Sequence, residues 1–409
     1  MYYHSTMIYL KIIGGLFVVA LIIGSVIGYQ FYTDQIYQPI VDLPVQHEVR
    51  EIGEVRVESV ADGVGQLWGI DFIPGTALLV ATQRQGQLFV IDTESGEVSE
   101  ITNVPTVATQ GQGGLLDVAV SPQFGSDQTI FLTYSATGAG GSATHLSRAI
   151  LDQAAGTLRD VEVLYQAPFQ SGGSHFGSRV VIDGDFIFVT LGDRGDKNFD
   201  DHVSQNTRNP YGSVIRLYRD GSVPEDNPFV GDDAVLDEIY SYGHRNPQGL
   251  AFRPATGDLW LSDHGEFDGD EINIVHAAGN YGWPIAHTSC GYVNRRPFGQ
   301  LPWERDDTID PVHFWECGTG GFPPAGMTFY EGDTFAPWRG DLFVGGLASR
   351  YLAHFRVTDD GLVEQEPLLV DEGWRVRDVT VGPLDGALYA AVEGGNVSLV
   401  RIVPVVYEE

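Results

Sequence analysis

Apolar runs recur along this chain in a fixed grammar. A run leads into a Pro, Gly or Asp turn, and a second run follows: LWGIDFIPGTALLVATQ from Leu67, GLLDVAVSPQFGSDQTIFLTYS from Gly114, SRVVIDGDFIFVTLGD from Ser178. It returns as GLAFRPATGDLWLSDHG from Gly249, AGMTFYEGDTFAPWRGDLFVGG from Ala325 and VRDVTVGPLDGALYAAVEGG from Val376. Further strand-like runs such as GQLFVIDT and NVSLVRIV close the units. Short alternating or continuous apolar runs bounded by turn residues are strands. Six such units in series predict an all-β, six-bladed β-propeller with four-stranded blades. A pair of β-sandwiches is the other architecture such strands allow, but six related hairpins in one series favour the propeller. The longest irregular stretch, about 284–323, is expected to cap one face and shape a site.

The N-terminus breaks the pattern. Met7 to Tyr29 is apolar apart from Lys11 and a few hydroxyl residues, long enough to span a bilayer as a transmembrane helix. Lys11 near its start, with Asp34 and Asp42 beyond, predicts an exported main domain on the periplasmic or extracellular face. A cleaved signal peptide is the alternative; no small-x-small cleavage site stands near its end, which favours an uncleaved membrane anchor. The expected organisation is an anchor or signal segment over 1–29, a polar linker over 30–60 and the propeller over 61–409.

Composition narrows the partners. The net charge is −32, from 23 basic and 55 acidic residues, and no basic stripe is visible, so no nucleic-acid partner is expected. Lysine occurs only at positions 11 and 197. Glycine is abundant and Ala/Leu/Glu/Lys blocks are absent, against a helical bundle. Cys290 and Cys317 are the two cysteines, both in the irregular stretch; in an exported domain a disulfide is expected rather than two free thiols.

Candidate chemistry lies at the strand ends. In GGSHFGSR, His175 reads as a turn residue or as a general base, with glycines and serines leaving room for a ligand. HGEFDGDEINIV gathers Glu266, Asp268, Asp270 and Glu271, hard oxygen donors suited to calcium or simply a solvated acidic turn. SYGHRNPQGLAF sets Arg245, Asn246 and Gln248 before an apolar strand, as ligand binders or strand caps. In WRVRDVTV, Arg375 and Arg377 share one side of a strand, which suits an anion unless Asp378 neutralises them. Gln112 sits in a glycine corner before the second unit. In a propeller these strand ends converge on one mouth of the central channel.

The stretches GGLLDVAVSPQF, HFGSRVVIDG, YGSVIRLYRDGSVPEDNPF, SYGHRNPQGLAF, DGDEINIVHAAGNYGWP, AGMTFY and WRVRDVTVGPLDGALY resemble, in order from about 65 to 403, the pyrroloquinoline quinone (PQQ)-dependent aldose sugar dehydrogenases. The soluble glucose dehydrogenases belong to the same superfamily. The resemblance implies a propeller holding PQQ and calcium, and oxidation of the anomeric hydroxyl of an aldose to a lactone with hydride transfer to PQQ. It implies His175 as general base and places Arg245, Gln112, Asn246 and Gln248 around the quinone and the reacting sugar carbon. It implies Arg375 and Arg377 as the grip on the cofactor's carboxylates. The carbonyls of Gly265 and Glu266 would bind a cofactor calcium; Glu271 and the carbonyl of Tyr281 would bind a second, structural one. A cytochrome or membrane quinone would reoxidise the cofactor.

This chain departs from the family pattern in places. Ser174 stands where the glucose enzymes have Asp before the base, and Glu266 where Pro is frequent. A cofactor-side Lys is replaced by Ala348 or Ser349, with Arg350 nearby. Two other classes stay open, a hydrolase that would use the same cation mouth without a quinone and a non-catalytic propeller that binds a protein or glycan. A calcium-dependent, lactonase-like hydrolase has no use for the arginine pair, and a non-catalytic binding module has no use for His175.

Overall fold

Residues 54–405 are described by the computed structural model. They form six four-stranded antiparallel sheets. The inner strands of blades 1 to 6 are Leu67–Phe72, Leu115–Val120, Val180–Asp183, Pro247–Phe252, Pro324–Phe329 and Arg375–Val381. Each coincides with the start of one of the six sequence units. Each inner strand touches the next, and the sixth touches the first, so the sheets close into a ring around an axis. The sixth blade is completed by the first described strand, Val55–Asp62, paired antiparallel with Val397–Pro404. Residues 55–60, read from sequence as linker, therefore form part of the strand that closes the ring.

Both faces of most strands are covered, which explains apolar runs where simple alternation would otherwise appear. LLDVAV, for instance, is buried at every position. Hydrophobic layers lie between neighbouring blades. Val80 and Leu88 of blade 1 meet Leu115 and Leu132 of blade 2; Trp260 and Ile272 of blade 4 meet Met327 and Val344 of blade 5. Burying such side chains stabilises by about 1.5–3 kcal/mol each, and this packing holds the blades in register.

The antiparallel hairpins fix which loops meet. The segments entering each inner strand, and those joining second to third strands, all emerge on one face. The irregular stretch reaches that face by a detour. After Glu271–Val275, the third strand of blade 4, the chain climbs beside blade 3, with Ala278 N bonded to Tyr240 O and Tyr281 N to Tyr242 O. It returns to supply the short fourth strand His313–Phe314. Cys290 and Cys317 are disulfide-bonded across 27 positions, with Cα atoms 5.2 Å apart. Closing a loop of that length stabilises by about 3–4 kcal/mol on chain-entropy grounds. Denaturant melts of Cys290→Ser should show that loss, and adding reductant to the variant should change nothing further.

The anchor expected over 7–29 lies outside the described residues. Among the described residues, no helix is long and apolar enough to cross a membrane.

Candidate active site

His175 lies in the segment entering blade 3, with a left-handed backbone at φ 48°, as has Ser178 at φ 81°. Such conformations cost a non-glycine residue about 1–3 kcal/mol and need surrounding bonds to hold them. Gln112 provides one: its Oε1 accepts the His175 backbone N–H at 2.7 Å, while Gln112 N donates to Gly173 O at 2.7 Å. The glycines serve this zipper. A Cβ on Gly111 would lie 2.2 Å from Gly173 O. Within GGSHFGSR, a Cβ on Gly173 would lie 3.1 Å from Gln110 O and one on Gly177 2.8 Å from Thr190 O, so those two glycines pack on backbone, while Gly172 has nothing nearer than Arg194 O at 3.8 Å and stays open.

The imidazole is held from behind. Its Nδ1 lies 2.6 Å from Asp193 Oδ1. Asp193 follows the second strand of blade 3, Phe186–Leu191, and its Oδ2 accepts the Trp283 indole N–H at 2.9 Å. The buried His202 stands 3.5 Å from the same oxygen. Asp193 thus orients the imidazole, and the Ser174 carbonyl accepts from Arg194 Nε at 3.0 Å. Burial, then the charge of Arg245, lowers the His175 pKa below its ordinary value despite Asp193. Burial works to raise the Asp193 carboxyl, but the bond and charge of His175, with Arg245 and His202, bring it below normal. The pair is therefore neutral imidazole beside carboxylate at neutral pH, with Nδ1 carrying the proton and Nε2 basic.

Arg245 and Asn246 enter blade 4. Their backbone N–H groups donate to the two oxygens of Asp263, at 2.9 and 2.7 Å. The Arg245 guanidinium bonds Glu266 at 2.8 Å and packs on the Trp283 ring at 5.2 Å. Lys197 reaches the same carboxylate at 2.6 and 2.7 Å. Asn246 Oδ1 accepts from Gly177 N at 3.2 Å, tying blade 4 to the His175 loop.

The arginines of blade 6 do share a side. Arg375 Nε and Arg377 Nη2 bond the two oxygens of Glu393, at 2.9 and 3.2 Å, and Arg377 Nη1 donates to Gln248 Oε1 at 2.9 Å. Burial brings the Arg377 pKa down to about 10, Glu393 opposing it. Their counter-charge is Glu393, across the hairpin. Asp378, the neutralising residue suggested by sequence, bonds Arg179 instead.

Gly265, Glu271, Tyr281 and Arg245 line one cavity with Asp263, His264 and His287. Burial, then the charge of Asp263, raises the Glu271 pKa to about 8. Asn273 Oδ1, on the same strand, is buried without a hydrogen-bond partner. The other acids of that loop are spent on structure. Asp270 accepts from Gly265 N and Phe322 N, and Asp268 from Cys290 N and Gly318 N. The Glu266 side chain is likewise occupied, leaving its carbonyl as the possible metal donor.

The sequence model of the glucose/sorbosone dehydrogenases matches residues 64–401. The chain is 34% identical over 357 residues to the aldose sugar dehydrogenase YliI of Escherichia coli, covering 86% of this chain and 93% of that one. Its fold superposes with a TM-score of 0.79 on the apo form of a soluble E. coli aldose sugar dehydrogenase, at 34% identity over 86% of this chain and all of that one. A PQQ-bound aldose sugar dehydrogenase from Streptomyces coelicolor gives 0.68 at 26% identity, over 86% and 98%.

This chain belongs to the glucose/sorbosone dehydrogenase family.

Among the mouth residues that sequence reading left unassigned are Asp193, Glu393 and Trp283. Asp193 was legible in principle: extending the Val180–Val189 pairing outward brings His175 beside Arg194 and Asp193. Glu393 was legible the same way, paired directly with Arg375. Trp283 was not, because only the climb beside blade 3 brings it there.

Proposed function

We propose that this chain oxidises the anomeric hydroxyl of aldose sugars to lactones, using PQQ and calcium at the mouth of the propeller. The single observation carrying this reading is the Asp193–His175 pair, with Nδ1 engaged and Nε2 left to act, on a mouth that also holds the arginine pair. The residues fit the cofactor. Arg375 and Arg377 bring two charges against one Glu393 carboxylate, so a positive charge remains for an anionic ligand. They also fit calcium, since Glu271 and the unpartnered Asn273 Oδ1 offer hard oxygens beside the cavity lined by Tyr281 and Gly265.

In this reading, bound PQQ supplies the acceptor for the C1 hydrogen with its electron pair, and calcium supplies positive charge at the acceptor carbonyl. The chain does the rest. His175 Nε2 takes the C1 hydroxyl proton, and Asp193 stabilises the imidazolium that results. Gln112 fixes the loop carrying the base, and Asn246 ties it to blade 4. Arg245, held by Glu266 and packed on Trp283, directs positive charge toward the reacting centre. Arg377 and Gln248, with Arg375, hold the cofactor's carboxylates. The carbonyls of Gly265 and Glu266 hold the cofactor calcium; Glu271 and the carbonyl of Tyr281 hold a second ion. An external cytochrome or quinone takes the electrons, and an exported location suits such a partner.

Reconstitution tests this. The protein with PQQ and Ca²⁺ should reduce an artificial dye with at least one aldose in a panel, and omitting PQQ should abolish that activity. Failure with every sugar would sink the reading. The second ion makes its own prediction. Chelation should lower the Tm of the native protein, and restoring Ca²⁺ should recover it. Glu271→Gln should remove most of that calcium-dependent shift. A full shift in the variant would remove Glu271 from the ligand set.

A further inference from the structure

Arg179 stands directly before the inner strand of blade 3 and has no part in the mechanism above. Its side chain is 4% exposed, at the axis of the ring. Nε donates to Gln248 O at 2.6 Å. Nη1 donates to Asp117 Oδ1 at 3.0 Å and to Asp378 Oδ2 at 2.8 Å. Nη2 donates to Arg377 O at 2.8 Å and reaches Trp68 O at 3.5 Å, and the guanidinium packs 4.3 Å from the Trp68 ring. Those five contacts match the five N–H groups of a guanidinium. They reach blades 1, 2, 4 and 6 from blade 3. Blade 5 comes just as close: a Cβ on Gly326 would lie 1.7 Å from Asp378 Oδ1 and 2.8 Å from Arg179 Nη2. All six inner strands therefore meet at this one side chain.

Two of its contacts bear on the mouth. Arg179 bonds the main-chain carbonyls of Gln248 and Arg377, whose side chains bond each other at 2.9 Å. Blade 5 separates the strands that carry them, so their spacing is set across the axis. We propose that Arg179 is a positioning residue for the cofactor grip: it locks the main chain of Gln248 and Arg377 so that their side chains form a preset site for the anionic cofactor. This rests on the reading that Arg377 contacts PQQ. Asp117 and Asp378 supply the counter-charge that lets a guanidinium remain buried there, and both are themselves anchored, Asp117 by Val180 N and Asp378 by Ile70 N.

The test is PQQ affinity of the calcium-loaded apo protein, read by tryptophan fluorescence. Arg179→Lys keeps a charge beside the aspartates but cannot form the five-bond fork. It should weaken PQQ binding about tenfold, while in an Arg377→Ala background it should add less than about threefold, because coupled residues are not additive. Leu132→Ala, a core truncation between blades 1 and 2, should lower Tm and leave affinity within about twofold, since its effect is cavity formation away from the axis. If Arg377→Ala alone leaves affinity unchanged, the grip reading falls and the proposal with it. If Arg377→Ala weakens binding but Arg179→Lys does not, or if the two effects multiply, the proposal alone is overturned. Should Arg179→Lys fail to fold, Asp378→Asn loosens one bond of the hub. It should weaken binding about threefold, and unchanged affinity there overturns the proposal.

Discussion

His175→Ala should lose about 10²–10⁴-fold in kcat, the usual worth of a positioned base, while still binding PQQ. The imidazole touches no group proposed to hold the cofactor by its carboxylates; its bonds run to Asp193 and, through the backbone, to Gln112. Truncation therefore removes the proton acceptor and leaves the grip. Asp193→Asn should also cost about 10²-fold or more in kcat. A carboxamide can donate to Nδ1, and the tautomer that follows puts the proton on Nε2, where the basic lone pair is needed. The pH profile of kcat/KM separates these cases. Burial and Arg245 hold the His175 pKa below 6.5, so activity should fall only as pH drops through that lower value. Asp193 is the group pulling the value up, so the residual activity of Asp193→Asn should show its acid limb at still lower pH. Normal turnover in His175→Ala would remove His175 as the base.

The propeller was legible because a blade is a local object. Each unit is a hairpin whose turn and apolar runs lie within about twenty residues, so periodicity alone marks all six inner strands. His175 and Arg245 stand in the segments entering their inner strands, and Arg375 and Arg377 lie at the start of theirs, so the ring sets all of them toward one face. Partnerships were harder. Asp378 lies next to Arg377 in sequence and looked like its counter-ion, but adjacent strand residues face opposite ways. Its side chain goes to Arg179 on the axis, and the neutralising carboxylate comes from Glu393. The acidic loop, read as calcium donors or as a solvated turn, shows the same limit of a local reading. Asp268 and Asp270 read as metal donors by type, yet the backbone N–H groups of their own loop and of the disulfide arm consume them. Ring closure was missed because Val55–Asp62 pairs with the other end of the chain, a contact that no local pattern records.

Arg377→Ala should weaken PQQ binding by about 10–100-fold, the loss of one charge-assisted bond or two. The guanidinium is buried and already bonded to Gln248 and Glu393, so no side-chain ordering remains to be done when an anion arrives. Glu393 acts on this site in two opposed ways. It competes with the cofactor for the same two arginines, and it also keeps them from repelling each other in the apo protein. Glu393→Gln should therefore lower apo Tm while increasing the Tm gain on adding PQQ, because the freed charge finds its partner only in the complex. Rising salt should erode both changes, less so for Arg377, which is shielded from solvent, than for the half-exposed Arg375. If Glu393→Gln instead weakens PQQ binding as much as Arg377→Ala does, the carboxylate orients the guanidiniums more than it competes for them. The mouth would then be built as a rigid fork, with its geometry outweighing its net charge.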